Sequence, residues 1–211
     1  MNRFEHREEK WEFPFVEYSP ENMGEEKLPL IVQLHGAGER GCGGQMLGLV
    51  DEHGFSKIFK ETEYACIAVM PQCPKDTFWA ARVESLISFV ERLIREYPVD
   101  PNRVYLTGLS MGGFGTWFTA MAKPELFAAI APVCGGGMAW NAMVLKMPIW
   151  AFHGAEDPIV HPRNSDEMVE NLKARGYDVT YSRLEGVKHN AWDYAYTPEL
   201  LEWLLSKKRG E

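Results

Sequence analysis

The chain lacks the features that would send it to a bilayer, a nucleic acid or an oxidising compartment. No run approaches the roughly 20 apolar residues that a helix needs to cross a membrane. The opening residues, MNRFEHREEKWEF, are charged and hold no apolar signal core, so a cytoplasmic location is expected. There is no basic block either. Net charge is −8, and the one basic cluster, Lys207-Lys208-Arg209, stands where it complements the last turn of a C-terminal helix. Binding to nucleic acid or to an anionic membrane surface is therefore not expected. Cysteine is scarce. Cys42, Cys66, Cys73 and Cys134 include no CxxC pair, which argues against a zinc site and leaves free thiols. No repeat, low-complexity tract or linker divides the 211 residues, which suit a single α/β domain.

What is present is an alternation of short apolar runs and amphipathic stretches. Leu30–Leu34, Ile67–Met70, Val104–Thr107 and Ile149–Phe152 read as buried strands, with Phe127–Ile130 a further candidate; roughly Val179–Leu184 reads as the last strand. Continuous apolar runs suit a parallel sheet covered on both faces. Val83, Leu86, Ile87, Val90, Ile94 and Tyr97 form a helical stripe that Pro98 ends. Met111–Met121 and Pro162–Arg175 read as helices, the latter stopped by Gly176. Tyr196, Leu200, Trp203 and Leu204 stripe a final one. Strands alternating with helices predict a doubly wound, mostly parallel α/β sheet whose ligands bind beyond the carboxyl ends of its strands.

The stretch TGLSMGGFG places one serine among four glycines, between a predicted strand and a predicted helix. Gly108-x-Ser110-x-Gly112 in that setting is the pattern of a nucleophile elbow, with a helix N-terminus behind the serine. Serine needs a general base, and the base needs an orienting carboxylate. His153 ends an apolar strand and reads as a packed residue, and His161 reads as a loop residue. His189 lies on the loop after the last strand and can reach over the sheet edge, so it is the expected base. Glu156 and Asp157 both follow the strand ending at His153. Asp157, held extended by Pro158, is the expected acid, with Glu156 the alternative. The oxyanion hole is expected from the N–H of Met111 and that of Ala37, or Gly38, in the loop HGAGERG.

Together LHGAGERG, GLSMGGFGTW, AFHGAEDPIV and KHNAW resemble the α/β-hydrolases over about Phe13 to Lys208. More narrowly they resemble the small carboxylesterase, dienelactone-hydrolase-like and predicted-peptidase branch. The resemblance implies the triad Ser110, Asp157 and His189 and an oxyanion hole at Ala37 and Met111. It also implies that Trp79, after PQCP, faces the substrate. A dienelactone hydrolase would be expected to carry cysteine where this chain has Ser110. Only Val133 to Met147 separate the last two strands before the acid, too short for a large lid. Trp140 and Met143 there either wall the site or pack in the core, and Trp192 beside His189 is a further expected contact. The expected activity is hydrolysis of short-chain or accessible small-molecule carboxylic esters through an acyl-enzyme, with no metal or organic cofactor. A small serine peptidase or amidase, a feruloyl or acetylxylan esterase, and a non-catalytic binder on the same scaffold are the alternatives.

Overall fold

The apolar runs form the middle of one eight-stranded sheet. The computed structural model describes residues 1–24 and 26–210. The strands are β1 (Asn2–His6), β2 (Phe15–Ser19), β3 (Leu28–Leu34), β4 (Ile67–Pro71), β5 (Val99–Leu109), β6 (Ala129–Val133), β7 (Ile149–Gly154) and β8 (Val179–Leu184). Their order across the sheet is β1-β2-β4-β3-β5-β6-β7-β8. From β4 to β8 neighbours run parallel, and β1 and β2 join antiparallel at one edge.

Successive side chains of a strand point to opposite faces, and the two cores follow from this. Leu30, Val32 and Leu34 of β3 enter one core with Ile67 and Val69 of β4, while Ile31, Ala68 and Met70 enter the other. The first core is closed by α2 (Val83–Glu96), α3 (Met111–Ala122) and α4 (Arg163–Lys173). The second is closed by α1 (Ser56–Glu61), α5 (Trp192–Ala195) and α6 (Pro198–Leu205). α2 buries the predicted stripe through Leu86, Phe89, Val90 and Leu93, and Tyr97 before Pro98 is extended. α4 stops before Gly176, which takes φ +74°.

Four elements depart from expectation. Strand β6 begins at Ala129 rather than Phe127, because Phe127 closes the 3-10 turn Pro124–Leu126. Tyr196 falls between α5 and α6, since Thr197 caps α6 by accepting from the Leu200 N–H. Strands β1 and β2 had no counterpart in the sequence reading. NRFEH is an exposed edge, and β2 buries Glu17, whose carboxylate accepts from the Tyr97 hydroxyl at 2.9 Å and meets His6 Nε2 at 2.7 Å. Their pattern is made by distant partners rather than by local alternation.

Candidate active site

The loops after β3, β5, β7 and β8 meet at the carboxyl edge of the sheet. Ser110 stands between β5 and α3 with φ 52° and ψ −115°. A side chain with a β-carbon is strained there by about 1–3 kcal/mol, so the surroundings must impose it. They do so through Ser110 N–H donating to Val133 O at 2.9 Å and Phe114 N–H donating to Ser110 O at 3.1 Å. The flanking glycines answer the need for close approach. A Cβ on Gly108 would collide with the Gly112 carbonyl, and one on Gly112 with the Leu34 carbonyl. The elbow is thus wedged against the end of β3.

The Ser110 hydroxyl lies 2.9 Å from His189 Nε2, and His189 Nδ1 lies 2.6 Å from Asp157 Oδ2. The carboxylate can only accept, so the proton sits on Nδ1 and Nε2 is free to accept from Ser110. Asp157 is itself fixed: its Oδ1 accepts from the Ile159 N–H at 2.9 Å and the Val160 N–H at 3.0 Å. Burial raises its carboxyl, but the His189 bond and the two amides outweigh burial and hold it below the usual carboxylate range. Glu156 has no place in this chain of bonds; its N–H ties the loop to Val187 O.

Ala37 opens the 3-10 turn Ala37–Glu39 and Met111 opens α3. N–H groups in a first turn have no intrahelical partner and are available to a ligand. The Ala37 loop is adjacent to the serine, since a Cβ on Gly36 would lie 3.8 Å from Ser110 Cβ. His35 anchors the loop. Its Nε2 accepts from the Cys73 N–H at 2.9 Å, which puts the proton on Nδ1, and Nδ1 donates to Gly36 O at 2.6 Å.

Trp79 requires a correction. It is 0% exposed, edge-on to Phe13 and His35 in the core, and does not face the substrate. Its Nε1–H donates to His35 O at 3.1 Å, so it supports the loop after β3 from behind. Trp79→Phe should leave that buried carbonyl without its donor. The expected cost is about 1–3 kcal/mol, with a fall in Tm of about 2–4 °C per kcal/mol for a chain of this size. Thermal unfolding would check it, and an unchanged Tm would remove the bond from the account.

Beside Ser110 a cavity of about 550 Å³ is lined by Phe78, Ala80, Met111, Phe114, Phe118 and Val160. Apart from the serine its walls are apolar. Trp140 does not line it. That residue is 71% exposed on the 3-10 turn Ala139–Val144, the largest element between β6 and β7 among the described residues. It is neither core nor cavity wall, and Met143 beside it is also exposed. Trp192 stands edge-on to His189, ring centroids 5.2 Å apart.

His153 is packed as expected and Cys134 is a free thiol as expected, but the contacts of both with the site were not part of the sequence reading. Cys134, at φ 48°, directs its thiol to the His189 carbonyl at 3.7 Å. His153 is fully buried. Its Nε2 donates to Val160 O at 2.8 Å and lies 3.4 Å from Asp157 Oδ2, and its Nδ1 meets Ser165 Oγ at 2.7 Å. The ligand atoms of Cys134, His153 and Asp157 come within 4.8 Å of one another, a spacing that could hold a metal ion. The donor set does not suit one. Burial pushes the thiol up to about 12, so it remains a proton donor, and Asp157 Oδ2 is already engaged by His189.

Burial also holds His153 below the ordinary histidine range, outweighing the Val160 carbonyl and Asp157. The unfolded chain then binds a proton that the folded chain refuses. Stability from this residue is complete above about pH 6.5 and falls as pH drops from there through the folded value. Asp157 adds the same sign at lower pH, below the usual Asp range. Urea midpoints between about pH 7 and 5 should therefore slope downward, and His153→Gln should flatten the slope. An equal slope in both proteins would count against His153 as the source.

The profile of the dienelactone hydrolase family matches residues 60–193. A bifunctional acetylxylan esterase/xylanase of Neocallimastix patriciarum is 27% identical over 185 residues, spanning 86% of this chain and 24% of that protein. Poly(3-hydroxyalkanoate) depolymerase C of Paucimonas lemoignei is 27% identical over 220 residues, spanning 82% of this chain and 52% of that protein. The chain thus spans about a quarter and about half of these relatives. Among solved structures, a thermostable esterase superposes with a TM-score of 0.83 at 32% identity, over 99% of this chain and 63% of that one.

Proposed function

The chain belongs to the dienelactone hydrolase family and has the α/β-hydrolase fold, and on that premise we propose that it is a serine carboxylesterase. The observation that carries this reading is the continuous line from Ser110 Oγ through His189 to Asp157, at 2.9 and 2.6 Å, opening on an apolar cavity. His189 takes the proton of Ser110 as the hydroxyl attacks the ester carbonyl. Asp157 keeps the imidazole oriented and stabilises its charged form. The Ala37 and Met111 N–H groups receive the oxyanion. His189 then gives its proton to the leaving alcohol, the ester bond breaks, and water activated by His189 releases the acid.

The cavity sets the acyl group. Its volume of about 550 Å³ exceeds what an acetyl group fills, and Phe78, Phe114 and Phe118 offer apolar and ring contacts. Phe78 is more than half exposed, which keeps the mouth open. The test is a series of p-nitrophenyl acetate, butyrate and octanoate. Butyrate should exceed acetate in kcat/KM, by about tenfold for two further buried methylenes. A rate highest for acetate would restrict the site to the smallest acyl groups, and no turnover of any of the three would remove the esterase reading.

A further inference from the structure

The amino end of the sheet, opposite the triad, has a cavity of its own. It measures about 510 Å³ and lies between the segments that lead into β6 and β7 and the residues that follow α6. That volume is within the usual range of small-molecule sites, about 300–1,000 Å³. Ala128 lines it one residue before β6 and Pro148 one residue before β7. Ser110 follows β5 at the other end, and the strands between, at about 3.3 Å per residue, keep this cavity apart from the acyl cavity. Phe127 and Met147 are almost wholly buried and close the floor. Pro124, Val144 and Pro148 are half-buried there and present apolar surface.

The rim of this cavity is cationic, in a chain whose net charge is −8. Lys146, Lys208 and Arg209 stand there against one carboxylate, that of Glu125. Lys146 is exposed, and its ammonium makes no hydrogen bond or ion pair among the described residues. Arg209 is fixed in place. Its backbone N–H donates to Asn102 O at 2.9 Å, its Nη2 donates to Asn102 Oδ1 at 2.9 Å, and its Nη1 donates to the Glu125 carbonyl. These bonds fasten the segment after α6 beside the cavity and leave other guanidinium N–H groups open to a ligand. An apolar floor under a cationic rim complements an anion whose charge stays at the edge while its hydrocarbon tail lies on the floor. Glu125 at the same rim repels a second negative charge, which favours a monocarboxylate over a dianionic phosphate.

We propose that this cavity is a second ligand site, separate from the acyl cavity, for a monocarboxylate with an apolar tail. The inference stands apart from the esterase reading, since it uses no residue of the triad. Its test is titration of the full chain with sodium octanoate, followed by calorimetry and by backbone amide NMR shifts, with 1-octanol as the uncharged match. Octanoate should move the amides of Phe127, Ala128 and Met147, and should bind about tenfold more tightly than 1-octanol, the usual worth of hydrogen bonds to a charged group. Lys146→Glu alters an exposed side chain that holds nothing in the fold, and should weaken octanoate severalfold. Lys146→Arg should keep the binding. Shifts confined to Met111, Phe114 and Val160 would put the acid in the acyl cavity alone and overturn the proposal. Equal affinity for octanoate and 1-octanol would overturn it, and so would undiminished octanoate binding by Lys146→Glu. No binding at millimolar octanoate would remove the site. Loss of the esterase reading would leave this result untouched, because no part of the titration depends on turnover.

Discussion

Ser110→Ala should lower kcat on p-nitrophenyl butyrate by about 10⁴-fold or more while leaving KM within a few-fold. The split follows from what the hydroxyl touches. Its Oγ meets His189 Nε2 and nothing else hydrogen-bonded, while the acyl cavity is walled by Phe78, Phe114, Phe118 and Val160. Binding therefore persists and bond formation does not. The variant should also be no less stable. Alanine relieves none of the positive φ, but the backbone bonds that hold the elbow, Ser110 N–H to Val133 O and Phe114 N–H to Ser110 O, remain. Kinetics on the ester together with a thermal melt would measure both. Equal rates in the two proteins would exclude Ser110 as nucleophile and leave the strained elbow without a chemical purpose.

How much of this was legible follows from where each signal resides. The elbow and the α2 stripe are local: a turn too tight for side chains demands Gly108 and Gly112, and a helix that covers a sheet must repeat its apolar residues. Ser110 and Asp157 could be named because each follows a strand whose apolar run is visible, and His189 because it lies on the loop before the last helix; the structure brings these three together. Trp79 failed for the opposite reason. A tryptophan in a loop carries no sign of which way it turns, and its direction is set by Phe13 and His35, far away in sequence. Cys134 read only as a free thiol and His153 as a packed strand-end residue; their contacts with His189 and Asp157 depend on the folded sheet edge. Strand β2 belongs with these, since its buried Glu17 is paid for by His6 and Tyr97 rather than by any local pattern.

The residues behind the triad bear on how sharply it depends on a single atom. Asp157→Asn should reduce kcat by about 10³- to 10⁴-fold and lower Tm less than Asp157→Ala does. An amide has one oxygen and one NH₂, and the question is which faces His189. In this loop the answer is imposed. The Ile159 and Val160 N–H groups, at 2.9 and 3.0 Å from the Oδ1 position, both need an acceptor, so the amide oxygen must turn to them. The NH₂ is then left 2.6 Å from His189 Nδ1, where it can only donate. Nδ1 must give up its proton and become the acceptor, and the proton moves to Nε2. An Nε2 that carries a proton cannot receive one from Ser110. The base is disabled by its tautomer, with serine, histidine and cavity all in place. The same constraint separates this substitution from Asp157→Ala, which removes the acceptor for the two amides as well and should lower Tm in addition to kcat. Measuring both variants for kcat and Tm distinguishes orientation from loop support. An Asp157→Asn enzyme that kept most of its activity would show that the His189 proton is placed by something other than Asp157.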